Sequence, residues 1–174
     1  MPNLVYLSLG SNIGDRTAHL RDAITHLAGL GNVLAVSSFY ETEPVEFTDQ
    51  DWFLNCAVAL ENTNSPAELM EALLEIERQI GRQRIQKKGP RTVDIDILLF
   101  DDLVVATPEL TIPHPAIATR RFVLQPLAEI APDVMHPLLK KTIRELLEEL
   151  PAGQAVRRIA REAKDQRLTT DDPS

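Results

Sequence analysis

A length of 174 residues is one domain's worth, and 44% hydrophobic with 25% charged residues is an ordinary globular balance. No apolar run approaches the roughly 20 residues that cross a bilayer, and MPNLVYLSLGSN has no basic region ahead of an apolar core, so no membrane association and a cytoplasmic address are expected. A net charge of −8 argues against general nucleic-acid binding, and the single cysteine, Cys56, excludes an intrachain disulfide and a cysteine-based zinc site.

Residues 4–9, LVYLSL, read as a first strand ended by Gly10-Ser11-Asn12. A helix is expected from Asp15 to Leu30, because Leu20, Ile24, Leu27 and Leu30 recur at helical spacing. Residues 33–42 form a second predicted strand and 43–51 a polar loop. A third strand, 52–61, sets Leu54, Cys56, Val58 and Leu60 on one face and Phe53, Asn55, Ala57 and Ala59 on the other. Cys56 is expected to be a small buried side chain. Ser65, Pro66 and Glu68 form a capping signature for a helix whose stripe is Leu69, Leu73, Ile76 and Ile80, ended by Gly81.

A basic loop, 81–91, leads into the strand VDIDILLF, and Asp101-Asp102 turns into a short strand, LVV. Two more helices are expected over 121–130 and 141–150. The order of the first hundred residues is β-α-β-β-α-β. That is the ferredoxin-like α+β arrangement, an antiparallel sheet with helices packed on one face, followed by C-terminal helices. A single domain over 1–160 is expected, with residues 161–174 a polar, disordered tail.

The strand at 93–100 poses the chemical question. Alternation puts Val93, Ile95 and Ile97 on one face and Asp94 and Asp96 on the other, their Cα atoms roughly 6.6 Å apart. Two half-buried like charges repel, and a hard divalent cation such as Mg²⁺ removes the conflict. A solvated edge-strand face is the alternative. The loop before it holds Arg82, Arg84, Lys87, Lys88 and Arg91 without an acid. Loop and carboxylates together supply both halves of a phosphate site, since arginines clamp phosphate oxygens that a metal also bridges. No GxxxxGK[ST] loop is present, and the four histidines form no ligand pair at i, i+4. Phe53 and Asn55 share a strand face, as stacking on and hydrogen-bonding a heteroaromatic ligand requires, although core packing of Phe53 and a structural hydrogen bond of Asn55 are the favoured reading of this pair alone.

GSN near the start, SSFYETEPV, FLNCAVAL, GR-x-R, GPRTVDIDILLF and IPHP…RRFVLQPLAEIAP occur in this order. Over residues 4–135 the chain resembles the 6-hydroxymethyl-7,8-dihydropterin pyrophosphokinases of folate biosynthesis. The resemblance implies a catalytic domain, acting as a monomer, that moves pyrophosphate from ATP to the pterin hydroxyl and releases AMP. It implies two Mg²⁺ ions on Asp94 and Asp96, with Arg82 and Arg91 catalytic and Arg84 a phosphate contact. His114, Arg120 and Glu77 match nucleotide-binding positions. Gly10, Thr42, Val45, Phe53, Asn55 and Phe122 match the pterin pocket. Lys88 stands where some members have Trp, and Phe53 and Pro115 where others have Tyr. The loops 43–51 and 81–91 are expected to close over both substrates. The competing readings are a non-catalytic ferredoxin-like ligand- or RNA-binding module and a kinase that moves only the γ-phosphate.

Overall fold

In the sheet, strand β1 (Asn3–Ser11) sends Val5, Leu7 and Leu9 to one face and Tyr6 to the other, as a period of two requires. A computed structural model describes residues 2–43, 52–82, 92–153 and 155–159. Helix α1 (Arg16–Ala28) follows, with Asp15 Oδ1 accepting the Ala18 N–H at 3.1 Å as its cap. The long β4 (Phe53–Asn62) then pairs antiparallel along the whole of β1. Helix α2 (Pro66–Arg82) starts on the expected capping box, Ser65 and Glu68 exchanging bonds of 3.1 and 2.9 Å. On the other side of β1 lies β5 (Asp94–Phe100), also antiparallel.

The predicted strand over 33–42 is two strands, β2 (Asn32–Val36) and β3 (Tyr40–Thr42), both antiparallel to β4. Val36 lies opposite Val58 and Tyr40 opposite Asn55, so four steps on the outer strand oppose three on β4. The extra residue makes a bulge, and side chains stabilise it. Ser37 Oγ accepts the Ala57 N–H at 2.9 Å. The Ser38 N–H and hydroxyl and the Tyr40 hydroxyl all donate to the Glu129 carboxylate, at 3.1, 3.0 and 2.6 Å.

Helices cover both faces of the sheet, α1 and α2 on the one expected for them and the C-terminal helices, which the sequence left unplaced, on the other. Leu20, Leu27, Leu69 and Leu73 of α1 and α2 pack with Leu7, Leu54, Val58 and Ile97. On the opposite face, Val123, Leu124 and Leu127 of α3 (Arg121–Ile130) and Ile143 and Leu146 of α4 (Ile143–Glu149) pack on Tyr6, Ala57 and Leu99. The α1 and α2 layer is the ferredoxin-like one, and the C-terminal helices supply the second. Thr142 and Glu145 close a capping box on α4, which fixes its start two residues later than predicted. Cys56 is buried as expected, and burial followed by the Glu129 charge pushes its thiol well above the ordinary range.

Two features differ from the predicted elements. In place of the predicted strand at 103–105 is a hairpin whose first strand starts two residues later, β6 (Val105–Ala106) with β7 (Thr111–Ile112), and Leu103 and Val104 are exposed. Strand β8 (Val156–Arg158) pairs with β3, giving the order β5-β1-β4-β3-β8 with β2 beside β3 on β4. Among the described residues no helix is long and apolar enough to cross a membrane. The tail 161–174 lies outside the described residues.

Candidate active site

Because both faces of the sheet are covered, the open surface is at the strand ends. The C-terminal half of β1, the end of β3, and the starts of β4, β5 and α3 meet around a cavity of about 320 Å³. Its walls include Ser8, Gly10, Thr42, Phe53, Asn55, Asp94, Asp96, His114, Arg120 and Phe122. Pairing produces this set directly. Gly10 lies opposite both Asn55 and Asp94, and Thr42 opposite Phe53.

The amide of Asn55 is buried and oriented. The Thr42 hydroxyl donates to Asn55 Oδ1 at 3.0 Å, which directs Nδ2 away from Thr42. A Cβ added at position 10 would stand 2.7 Å from that Nδ2, so only glycine leaves room for the amide. Phe53 and Phe122 flank the same cavity, and the Arg120 guanidinium lies 5.6 Å over the Phe122 ring. A flat ligand with hydrogen-bonding edges suits this arrangement.

Asp94 is half-buried and Asp96 exposed, and both line the cavity as alternation predicted. The residue between them is fixed from outside the sheet. Its N–H, on Ile95, donates to Glu77 Oε2 of α2 at 2.6 Å, so the edge-strand donor beside the two carboxylates is satisfied. The donor set, two hard carboxylates without thiolates, fits Mg²⁺. Among the described residues no three His, Cys, Asp or Glu side chains gather as a complete metal site. Two carboxylates are the number with which Mg²⁺ is ordinarily held, its remaining ligands being water or substrate oxygens.

His114 stands beside Asp96 and Arg120. Its Nδ1 accepts the Ala116 N–H at 3.0 Å, which places the proton of the neutral ring on Nε2. Burial pushes its pKa below the ordinary value, against the pull of Asp96 and with the help of Arg120. Asp96 and His114 also line a second cavity of about 370 Å³, with Met70, Leu73, Glu77, Ile95, Leu110 and Thr111.

Ten of the predicted site residues are thus placed on the two cavities: Gly10, Thr42, Phe53, Asn55, Asp94, Asp96, His114, Arg120 and Phe122 on the first, and Glu77 on the second. Val45, Arg84, Arg91 and the Arg82 side chain lie outside the described residues. Of the loops 43–51 and 81–91 only Glu43, Gly81 and the Arg82 backbone are described, so their closure lies outside as well. Sequence reasoning missed Ser8, Glu43, Leu98 and Val123 in the first cavity. Ser8 carried a usable signal, lying two residues before Gly10 on the same strand face. The apolar wall of the second cavity carried none, because Leu73 reads as ordinary helix core.

Comparisons with known proteins bear on the family and the fold. Residues 6–132 match the family described as 7,8-dihydro-6-hydroxymethylpterin-pyrophosphokinase, HPPK. A 2-amino-4-hydroxy-6-hydroxymethyldihydropteridine pyrophosphokinase of Methylorubrum extorquens is 47% identical over 151 residues, 85% of this chain and 94% of that protein. The folic acid synthesis protein fol1 of Schizosaccharomyces pombe is 42% identical over 86% of this chain, which spans only 21% of that longer protein. The crystal structure of Plasmodium falciparum HPPK-DHPS A437G with STZ-DHP superposes with a TM-score of 0.70 over 86% of this chain and 45% of that one. At 18% identity that likeness speaks for the fold alone. Family match, relatives and architecture agree, and the chain belongs to the 7,8-dihydro-6-hydroxymethylpterin pyrophosphokinase family.

Proposed function

We propose that this chain transfers the pyrophosphoryl group of ATP to the hydroxyl of 6-hydroxymethyl-7,8-dihydropterin, in a Mg²⁺-dependent reaction that yields AMP and the pterin diphosphate for folate synthesis. One observation carries the reading. The Phe53–Asn55–Phe122 set and the Asp94–Asp96 pair share one cavity, and Asp96 and His114 join that cavity to a second. A pterin ring fits the first cavity, between the phenylalanines and against Gly10 and Thr42. The nucleotide fits the second, along Glu77, with its phosphates reaching His114, Arg120 and the carboxylates.

In the reaction the pterin oxygen bonds to the β-phosphorus, the bond from that phosphorus to the α-phosphate oxygen breaks, and the hydroxyl proton is released. Two Mg²⁺ ions on Asp94 and Asp96, when bound, neutralise the charge on the phosphate oxygens. The chain's own contribution is position. Asn55 and the two rings set the pterin hydroxyl in line with the phosphate chain, which removes most of the entropic part of the barrier. His114 Nε2–H and the Arg120 guanidinium donate to phosphate oxygens as charge develops there. Arg82, Arg84 and Arg91 are read as further phosphate contacts and Val45 as a pterin contact. The enzyme is read as a cytoplasmic monomer with one catalytic domain over 1–160.

The test is to incubate the protein with ATP, Mg²⁺ and the reduced pterin alcohol and to identify the nucleotide released. Pterin-dependent AMP is expected. ADP would place the attack on the γ-phosphorus, and neither product would leave a binding module.

A further inference from the structure

The pterin-facing walls end in two residues, Thr42 on β3 and Phe53 on β4, which lie opposite each other. Just behind them is a cluster that takes no part in the cavity. Glu41 accepts from Arg16 through Oε2 at 2.8 Å and from Arg157 through Oε1 at 2.7 Å. Arg16 donates its other guanidinium nitrogen to the Trp52 carbonyl. The Arg157 guanidinium also stacks on the Trp52 ring, 4.6 Å from its centroid. Arg16, ahead of Arg157, holds the Glu41 carboxyl below the usual range against the opposing effect of burial.

The cluster therefore joins three strands at one point. Glu41 belongs to β3, Trp52 immediately precedes Phe53 at the start of β4, and Arg157 belongs to β8. Strand β8 also turns β3 from an edge strand into an inner one. Thr42 pairs with Val156, and the Glu43 N–H reaches the Ala155 carbonyl at 3.1 Å. A three-residue strand whose threonine must hold an amide in one orientation gains rigidity from a neighbour on each side. Arg157 is the exposed member, its side chain 67% accessible, so its ion pair adds little to global stability. Its contacts matter through where they hold Glu41 and Trp52.

We propose that Arg157 of β8 is a positioning residue for pterin recognition: by bridging Glu41 and Trp52 it holds Thr42 and Phe53 at the spacing the ring requires. The inference rests on the functional reading above.

The experiment uses the full chain and the variants Arg157→Ala and Arg157→Lys, with AMP release measured while pterin and ATP are titrated separately. In Arg157→Ala the pterin KM is expected to rise about fivefold to tenfold while kcat and the ATP KM stay within about twofold. Arg157→Lys keeps a cation beside Glu41 and over Trp52, and recovers most of the loss. A second readout needs no substrate. Trp52 is the one tryptophan of the chain, so its emission reports the stacked guanidinium directly. Emission should shift in Arg157→Ala and return toward the parent in Arg157→Lys. An unmoved pterin KM, a parallel rise in both KM values, or an unchanged Trp52 emission overturns the positioning role while leaving the activity intact. Absence of pterin-dependent AMP from the unaltered protein overturns the functional reading, and the positioning role with it.

Discussion

The Ile95 N–H donates to Glu77 Oε2 at 2.6 Å, and Ile95 stands between the two carboxylates that face the cavity. Helix α2 thereby fixes the backbone from which Asp94 and Asp96 project. A buried or half-buried donor that loses its acceptor costs about 1–3 kcal/mol, and the strand is free to shift to recover it. Glu77→Ala should raise the Mg²⁺ concentration for half-maximal activity and lower kcat about tenfold or more, with the pterin KM little changed. Glu77→Gln keeps an acceptor and should lie between. Superimposable Mg²⁺ titrations of Glu77→Ala and the parent would show that the contact has no such role.

Thr42 orients Asn55 through a single hydroxyl. Thr42→Val keeps the shape and removes the donor, leaving the buried Oδ1 unsatisfied and the amide free to rotate. The pterin KM should rise about tenfold, the worth of one such bond, with the ATP KM unaffected. Thr42→Ser should restore it. A valine enzyme with the parent pterin KM would mean that Gly10 and packing alone orient the amide.

His114 is held neutral by burial, and its Nδ1 is occupied by the Ala116 N–H. Protonation sets two N–H groups against each other at Nδ1. Because its pKa lies below the ordinary 6.5, kcat/KM should be flat from neutral pH down to about 6.5 and fall only below it. Part of that acid limb should disappear in His114→Gln. Identical acid limbs in the two enzymes would remove the histidine from the profile.

His136 offers a test on stability. It is buried, and its Nδ1 accepts the N–H groups of Leu138 and Leu139 at 3.2 and 3.1 Å. Burial depresses its pKa below 6.5 in the folded state. The neutral ring's contribution is therefore fully present above pH 6.5 and is lost as pH falls from there through the folded-state value. The urea midpoint of the parent should exceed that of His136→Ala at pH 7.5, and the gap should narrow at pH 5. A gap that widens toward acid would reverse the assignment.

The placing of the site residues was legible wherever it follows from alternation along a strand. Asp94 with Asp96, and Phe53 with Asn55, fall on the cavity face because side chains two residues apart share a side. The helices were legible from their stripes and from the Ser65–Glu68 box. What stayed hidden depends on contacts far apart in sequence. The break between β2 and β3 is held by Glu129, some ninety positions away, and nothing local in SSFYET announces it. Strand β8 is three residues long, two of them arginine, and has too short a pattern to stand out from a polar tail. The second layer of helices was read as helices but not placed, since an amphipathic stripe says which side is buried and not against which face of the sheet.

Glu129 answers three donors from two residues, Ser38 and Tyr40, on a different element. That arrangement links the fates of all three in descent. A lineage that loses the carboxylate takes an acceptor from a backbone amide and two hydroxyls at the bulge, so replacement of the tyrosine by phenylalanine and of the serine by a smaller residue should be found in the same branch. Change at any one of the three positions should be found with change at the others, although ninety residues of chain separate them.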